Sequence, residues 1–159
     1  MKVLIVSDTH RHNDNYFRVL DRIGAVDLVI HCGDAEGSEY AICEGAGCET
    51  LIVMGNNDFF SKLPREIETQ IGNYKVWITH GHNYYVSTSA EFIKQEAVNR
   101  GFDIVIYGHT HRPLIEIEDD IVALNPGSLS YPRQDGRRPS FILMEIDRFG
   151  DAHFTINYL

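Results

Sequence analysis

The chain has 159 residues, of which 43% are hydrophobic and 11% aromatic, a composition typical of one folded domain spanning residues 1–159. Its formal net charge of −9 argues against a protein that binds nucleic acid through a basic surface. Three cysteines without a CxxC pair favour neither a disulfide framework nor a zinc knuckle. The apolar run at residues 3–6 is too short for a secretion signal or a membrane span, so we expect a cytoplasmic protein with no membrane partner.

The first third of the chain contains apolar runs that predict buried parallel-type strands at 2–7, 27–32 and 50–54. A helix is expected between the first two strands, capped by Asn13 and ended by Gly24, with Phe17, Leu20 and Ile23 as its apolar stripe. A short helix with loops is expected before the third strand.

The middle of the chain predicts a hairpin and a helix. Residues 67–71 alternate like a half-exposed strand and pair with 74–80 through the Gly72–Asn73 turn. A capping box at 88–91 opens a helix that ends at Gly101. The helix residues expected to face inward are Phe92, Ile93, Ala97 and Val98.

The last third is mostly strand, with predicted segments at 103–107, 114–118, 121–125, 140–146 and 153–159. Strands alternate with helices early and pair as hairpins late. This order predicts a layered α/β or α+β domain, with either one mixed sheet or two sheets packed face to face.

Five predicted strands are each followed by a short polar group, in most cases with a glycine beside it. Ligands bind at the carboxyl ends of strands in open α/β sheets, so these groups are expected to converge. Together they supply two carboxylates, one amide oxygen and four imidazoles: Asp8, His10, Asp34, Asn56, His80, His109 and His111.

Mixed oxygen and nitrogen ligands without thiolate suit Mn²⁺, Fe, Zn²⁺ or Co²⁺ better than Ca²⁺. Seven ligands are too many for one catalytic metal that keeps an open position. They fit two ions that share a carboxylate, an arrangement that stabilises both the attacking and the leaving oxygen in phosphoryl transfer.

The ordered motifs around these residues, D-x-H, GD, GNxD, GH and GHxH, resemble the motif set of the calcineurin-like metallophosphoesterases. The short length, the segment Asn125-Pro-Gly-Ser128 and the hairpin-rich C-terminal half resemble their small bacterial and archaeal phosphodiesterase branch. The resemblance implies an α/β fold, a four-layer α/β/β/α sandwich of two mixed sheets flanked by helices. It also implies hydrolysis of a small phosphodiester by a hydroxide that bridges two metal ions. Mn²⁺ is the expected metal, with Zn²⁺, Ni²⁺, Co²⁺ and Fe as alternatives.

The resemblance also divides the ligands between two ions. The first ion would be bound by Asp8, His10, Asp34 and His111, and the second by Asp34, Asn56, His80 and His109. Asp34 would bridge them.

The residue after the motif asparagine departs from the pattern. Many relatives have histidine there, as a proton donor to the leaving group, whereas this chain has Asn57, which is no general acid near neutral pH. We therefore expect diesters or activated substrates, or a substitute acid in His12 or His82. Asn57 and Asp58 are the candidate catalytic-loop residues, and Asp58 is expected to orient a neighbour or stabilise the turn.

Two other functions compete with hydrolysis. The same fold serves as a protein-binding scaffold in an endosomal sorting coat, but there with a degraded metal site. A relationship to double-strand-break repair nucleases is disfavoured by the acidic charge and the absent histidine.

Several further side chains have two or more interpretations. Arg133 is either a phosphate contact or a solvated loop residue, and 125–128 is either a plain turn or a support for the site. The aromatic residues after two motifs belong to a substrate pocket, a homo-oligomer contact or the core: Phe59, Phe60, Tyr84 and Tyr85.

Overall fold

The computed structural model describes all residues from 1 to 159 and contains three helices: α1 (Asp14–Ile23), α2 (Glu39–Ala46) and α3 (Glu91–Asn99). The strands are β1 (Lys2–Val6), β2 (Leu28–His31), β3 (Glu49–Ile52), β4 (Glu66–Ile71), β5 (Tyr74–Thr79), β6 (Ile104–Ile106), β7 (Pro113–Ile117), β8 (Val122–Pro126), β9 (Ser140–Ile146) and β10 (Ala152–Tyr158). A single 3₁₀ turn covers His82–Tyr84. None of the helices is both long and apolar enough to cross a lipid bilayer.

The strands form two five-stranded sheets, ordered β10-β9-β1-β2-β3 and β4-β5-β6-β8-β7. Each sheet is mixed. β1, β2 and β3 run parallel in the first sheet, as do β5, β6 and β8 in the second. The outer hairpins β9–β10, β4–β5 and β7–β8 are antiparallel. The expected hairpins and the face-to-face arrangement of two sheets are confirmed.

The core is layered as the alternation of side chains along each strand requires. Residues such as Val3, Ile30 and Ile78 fill the space between the two sheets. Their neighbours on the opposite face, such as Leu4 and Val29, pack against α1 and α2. The third helix covers the outer face of the second sheet. The four-layer α/β/β/α sandwich is therefore confirmed.

Two details of the predicted helices are wrong. The first helix buries Tyr16 and Val19 completely, whereas Phe17 is 38% exposed, because the face toward the sheet is one residue out of step with the predicted stripe. Phe92 was expected to face inward but is 51% exposed, since Ile93 and Ala97 occupy the covered face of the helix.

The predicted helix starts also differ from those observed. The third helix begins at Glu91 after Ala90, and no side chain caps it in the way that the Thr88 capping box predicts. Instead, the Glu91 N–H donates to Ser89 Oγ over 3.1 Å. Asn13 does precede the first helix, but its side chain makes no capping bond and instead accepts a hydrogen bond from Ser38 Oγ.

Candidate metal centre

The polar loops that follow β1, β2, β3, β5 and β6 meet at one edge of the sandwich, at the carboxyl ends of the parallel strands. Asp8, His10 and His111 offer ligand atoms that all lie within 4.8 Å of one another. Asp8, Asp34 and His80 form a second such group. The two groups share Asp8, so both belong to one continuous site.

The backbone at this edge is held in a conformation that L-residues rarely adopt. Its φ angle lies between 45° and 68° at five of the seven predicted ligands: Asp8, His10, Asp34, His109 and His111. Each such residue costs about 1–3 kcal/mol, and such strain concentrates at functional sites. Gly55 permits the close approach of two loops, because a Cβ on it would lie 2.4 Å from the Asp34 backbone nitrogen.

The orientation of three imidazoles is fixed by hydrogen bonds that point away from the site. Each donates its Nδ1–H to an oxygen that can only accept: His10 to Glu36 Oε1 (2.6 Å), His80 to the Cys32 carbonyl (2.6 Å) and His111 to the Tyr131 carbonyl (2.7 Å). A neutral imidazole with a proton on Nδ1 has its lone pair on Nε2. All three rings therefore direct a metal-binding lone pair into the site, as metal-ligating histidines do.

These lone pairs face other electron-rich atoms. His111 Nε2 lies 3.1 Å from Asp8 Oδ1 and 3.4 Å from His10 Nε2. Asp8 Oδ1 is buried and has no hydrogen-bond partner. The other oxygen of Asp8 accepts hydrogen bonds from Ser7 Oγ (2.5 Å) and the His109 N–H (3.1 Å). An orphaned carboxylate oxygen among imidazole lone pairs fits a bound cation and would otherwise be costly to bury.

Asp34 lies between two groups of imidazoles. Its Oδ2 atom is 3.8 Å from His10 Nε2 and 3.5 Å from His80 Nε2. On the far side, Asn56 Oδ1 lies 3.0 Å from His80 Nε2 and 2.9 Å from His109 Nδ1. The amide oxygen thus completes a second set of converging donors, with Asp34 common to both sets.

The electrostatics around Asp8 also favour positive charge. Burial alone would raise the pKa of Asp8, but the neighbouring His111 and His80 lower it to about 2, so Asp8 is a carboxylate. Burial opposes protonation of His111, yet its contact with Asp8 raises its pKa overall. For His109, burial and the charge of His80 lower the pKa.

Asp58 and Asn57 both hold the loops around Asp34. The buried Asp58 carboxylate accepts three backbone N–H bonds, from Glu36 (2.6 Å), Asp34 (2.8 Å) and Gly55 (2.7 Å). Asn57 Nδ2 donates to Asp34 Oδ2 over 2.6 Å, and its backbone N–H donates to Asp34 Oδ1 over 2.8 Å. A catalytic role for either residue remains a prediction, but these are the contacts of positioning residues.

A buried histidine joins two of the loops. The Gly33 N–H donates to His31 Nδ1 over 3.2 Å, and therefore Nε2 carries the proton and donates to Thr9 Oγ1 over 3.1 Å. Burial lowers the pKa of His31 to about 4, so the ring is neutral at pH 7. These contacts are those of a structural residue.

The segment 125–128 supports the site. Ser128 Oγ donates to the Asp8 carbonyl (2.8 Å), and Asn125 Nδ2 donates to the Gly108 carbonyl (2.8 Å). Glu36, the partner of His10, was missed in the sequence. The sequence does contain a signal for Glu36. It follows Asp34 with the same spacing, one residue between, with which His10 follows Asp8.

The two candidate replacement acids and the aromatic candidates differ in how close they lie to the site. The ring of His82 is centred 5.4 Å from His80 and 6.2 Å from His109. His12 is exposed and packs against Tyr131 instead. Among the aromatic candidates, Tyr84 packs edge-on against Trp77, whereas Phe59, Phe60 and Tyr85 are 78%, 101% and 70% exposed. The interpretation of Phe59, Phe60 and Tyr85 as core residues is therefore wrong.

Comparison with known proteins gives a consistent result. The family model for the calcineurin-like phosphoesterase superfamily domain matches residues 1–148. A phosphodiesterase of Methanocaldococcus jannaschii is 33% identical over 146 residues, covering 80% of this chain and 83% of that protein. A crystal structure of a predicted phosphoesterase from Streptococcus pneumoniae has a TM-score of 0.82 at 33% identity, covering 99% of this chain and 88% of the other.

A relative of another kind shares the fold. Vps29 of Entamoeba histolytica, crystallised with Zn²⁺, has a TM-score of 0.78 at 26% identity, and the match covers 99% of both chains.

Proposed function

Because this chain belongs to the calcineurin-like phosphoesterase superfamily, we propose that it is a phosphodiesterase that uses two divalent metal ions. The observation that carries the proposal is the convergence of three imidazole lone pairs on Asp8 and Asp34. Each of these imidazoles has its Nδ1–H committed to an acceptor outside the site. Carboxylates and imidazole lone pairs that converge in this way suit a bound cation.

The two converging sets support a division between two ions. Asp8, His10 and His111 would hold the first ion, and Asn56, His80 and His109 the second. Asp34 would be shared, since its Oδ2 atom is within 3.8 Å of both His10 and His80. Nitrogen and oxygen donors of this kind suit Mn²⁺, with Zn²⁺, Ni²⁺, Co²⁺ and Fe as alternatives.

When bound, two such ions lower the pKa of a shared water and offset the charge that develops on the phosphoryl oxygens. The chain's own residues keep the ligands in position. Asp58 ties the Asp34, Glu36 and Gly55 backbones together, and Asn57 holds both oxygens of Asp34. With its amide committed to Asp34, Asn57 supplies no proton to a leaving group.

The absence of an acid at Asn57 determines the expected substrates. Aryl phosphodiesters and other activated esters have leaving groups that depart with little protonation, so they should be hydrolysed faster than unactivated esters. His82, whose ring lies beside those of His80 and His109, is the candidate to replace the missing acid.

A second candidate function is a protein-interaction scaffold that keeps the metal site. The observation in its favour is a pair of adjacent, exposed aromatic side chains, Phe59 and Phe60, beside the site. The complete ligand set favours hydrolysis.

A hydrolysis screen tests the proposal. The protein is stripped with a chelator, reloaded with Mn²⁺ and assayed on bis(p-nitrophenyl) phosphate, cyclic nucleotides and p-nitrophenyl phosphate, with Asp34→Ala as the inactive control. We expect metal-dependent hydrolysis of the diesters and a loss of at least about 10³-fold in the variant. Metal bound at two per chain without turnover of any ester would favour the scaffold instead.

A further inference from the structure

A cleft of about 790 Å³ opens beside the first set of metal ligands. His10 and His111 form one end of it, and the loop that contains Tyr131 and Arg133 forms a wall. Three arginines line this space: Arg112, Arg133 and Arg137. We refer to it as the arginine cleft.

The three guanidinium groups are free to bind a ligand. None of them forms an ion pair with a carboxylate, and all three residues are exposed. The loop is nevertheless fixed, because the Arg133 N–H donates to the His111 carbonyl over 2.9 Å and the Arg137 N–H to the Gln134 carbonyl over 3.0 Å. The three unpaired arginines form a positively charged region on a protein whose net charge is −9.

A second cleft, of about 640 Å³, lies on the Asn57 side and differs in charge. Its charged lining has three acids and two bases: Glu36, Glu39, Asp58, Arg11 and Lys62. Arg11 is also engaged, since its Nε–H donates to the Glu36 carbonyl over 2.6 Å. An anionic part of a substrate would therefore be directed to the arginine cleft and not to this one.

We propose that the arginine cleft binds a second phosphate group of the substrate, in addition to the phosphodiester that is cleaved. The substrate class is thus a phosphodiester whose arm on the His111 side ends in a phosphate. Arginine forms paired, charge-assisted hydrogen bonds to phosphate, and an exposed cleft leaves room for such a group. This inference rests on the proposed function, because the cleft opens onto the proposed metal ligands.

A matched pair of substrates tests it. One is the p-nitrophenyl ester of thymidine 5′-phosphate, and the other is the same compound with an added 3′-phosphate. We expect the added phosphate to raise kcat/KM of the Mn²⁺-loaded protein roughly tenfold, the effect of one charge-assisted contact. Arg133→Gln and Arg137→Gln should each remove most of this preference, so that the ratio of kcat/KM between the two substrates falls toward one.

Arg138→Gln is the control, since it changes the net charge equally within the same loop. Its Nε–H donates to the Leu159 carbonyl over 3.2 Å, and its guanidinium lies over Tyr158, away from the cleft. The preference should survive in this variant. If wild type hydrolyses both substrates equally well, the inference is overturned and the proposed function stands.

If neither substrate is hydrolysed, the screen described above still decides the proposed function, and calorimetry tests the arginine cleft. Thymidine 3′,5′-bisphosphate should then bind the Mn²⁺-loaded protein about tenfold tighter than thymidine 5′-phosphate, and Arg133→Gln should lose the difference. Equal affinities in wild type would overturn the inference. Because the contact is between exposed charges, the preference should also weaken as salt is raised from 50 to 500 mM.

Discussion

Two clusters of acidic side chains in this protein differ in how the repulsion between their carboxylates is offset. At the edge of the sandwich, Asp8 and Asp34 are buried among imidazoles. On the outside of the second sheet, three glutamates also converge within 4.8 Å: Glu91, Glu116 and Glu118. The glutamates surround Lys94 Nζ, at 2.6, 2.9 and 2.5 Å.

The difference lies in where the positive charge comes from. Lys94 donates a hydrogen bond to Glu118 and forms ion pairs with Glu91 and Glu116, and these three contacts raise its pKa. No lysine or arginine pairs with Asp8 or Asp34, and the imidazoles around them direct their Nδ1 protons elsewhere. A cluster of acids with its own cation is structural, whereas one without a cation is prepared for an external ion.

The strongest test of this contrast separates the two proposed metal positions. His109→Ala and His111→Ala should each lower the Mn²⁺ content from two ions per chain to about one, with a loss of at least about 10²-fold in diesterase activity. Anomalous scattering from crystals of the two variants should show the remaining ion at different positions. The exposed His153, which pairs with Asp147, provides the control, and His153→Ala should retain both ions. Loss of the same ion in both variants would contradict the division of ligands.

Asp58→Asn tests the support behind Asp34. An amide retains the size of the carboxylate but places an NH₂ group against backbone N–H donors. Metal affinity should therefore fall about 10- to 100-fold, as expected for a lost supporting contact. Asp147→Asn is matched, because Asp147 Oδ1 also accepts two backbone N–H bonds, from Phe149 (2.8 Å) and Asp151 (3.0 Å), in a surface turn. Titration with Mn²⁺ should show normal affinity in this control, and equal affinity in both variants would refute the role of Asp58.

The sequence predicts which side chains meet at this edge because its signals are local. A strand followed by glycine and an acid or a histidine is recognisable within a few residues, and parallel strands bring their carboxyl ends to one edge. The layered fold followed from the order of strands and helices. The support around the ligands was harder to predict: the carbonyls of Cys32 and Tyr131 that orient His80 and His111 are backbone groups, and no side-chain pattern reveals them.

The errors lie where tertiary packing overrides a local pattern. Thr88 to Glu91 has the sequence of a capping box, yet the turn that follows His82–Tyr84 leaves Ala90 before the helix. Phe17 and Phe92 are apolar residues at helical spacing, but smaller or better-placed neighbours occupy the covered faces. The Lys94 cluster joins a helix to a hairpin more than 20 residues away, a contact that helical periodicity alone does not predict.

The smallest expected effect concerns the Lys94 cluster. Lys94→Met retains the covered alkyl stem but leaves three glutamates facing one another, so the free energy of unfolding should fall by about 1 kcal/mol. Since folding raises the pKa of Lys94, the ammonium contributes fully below the ordinary lysine pKa of about 10.4, and the deficit should persist between pH 6 and 9. Urea denaturation should show the deficit at low salt and a smaller one at 0.5 M NaCl, because salt screens the glutamates. The exposed Lys75→Met is the control, and Mn²⁺ content should remain unchanged in both variants. An unaltered stability of Lys94→Met would mean that these glutamates, unlike Asp8 and Asp34, tolerate the absence of a cation because water already screens their charge.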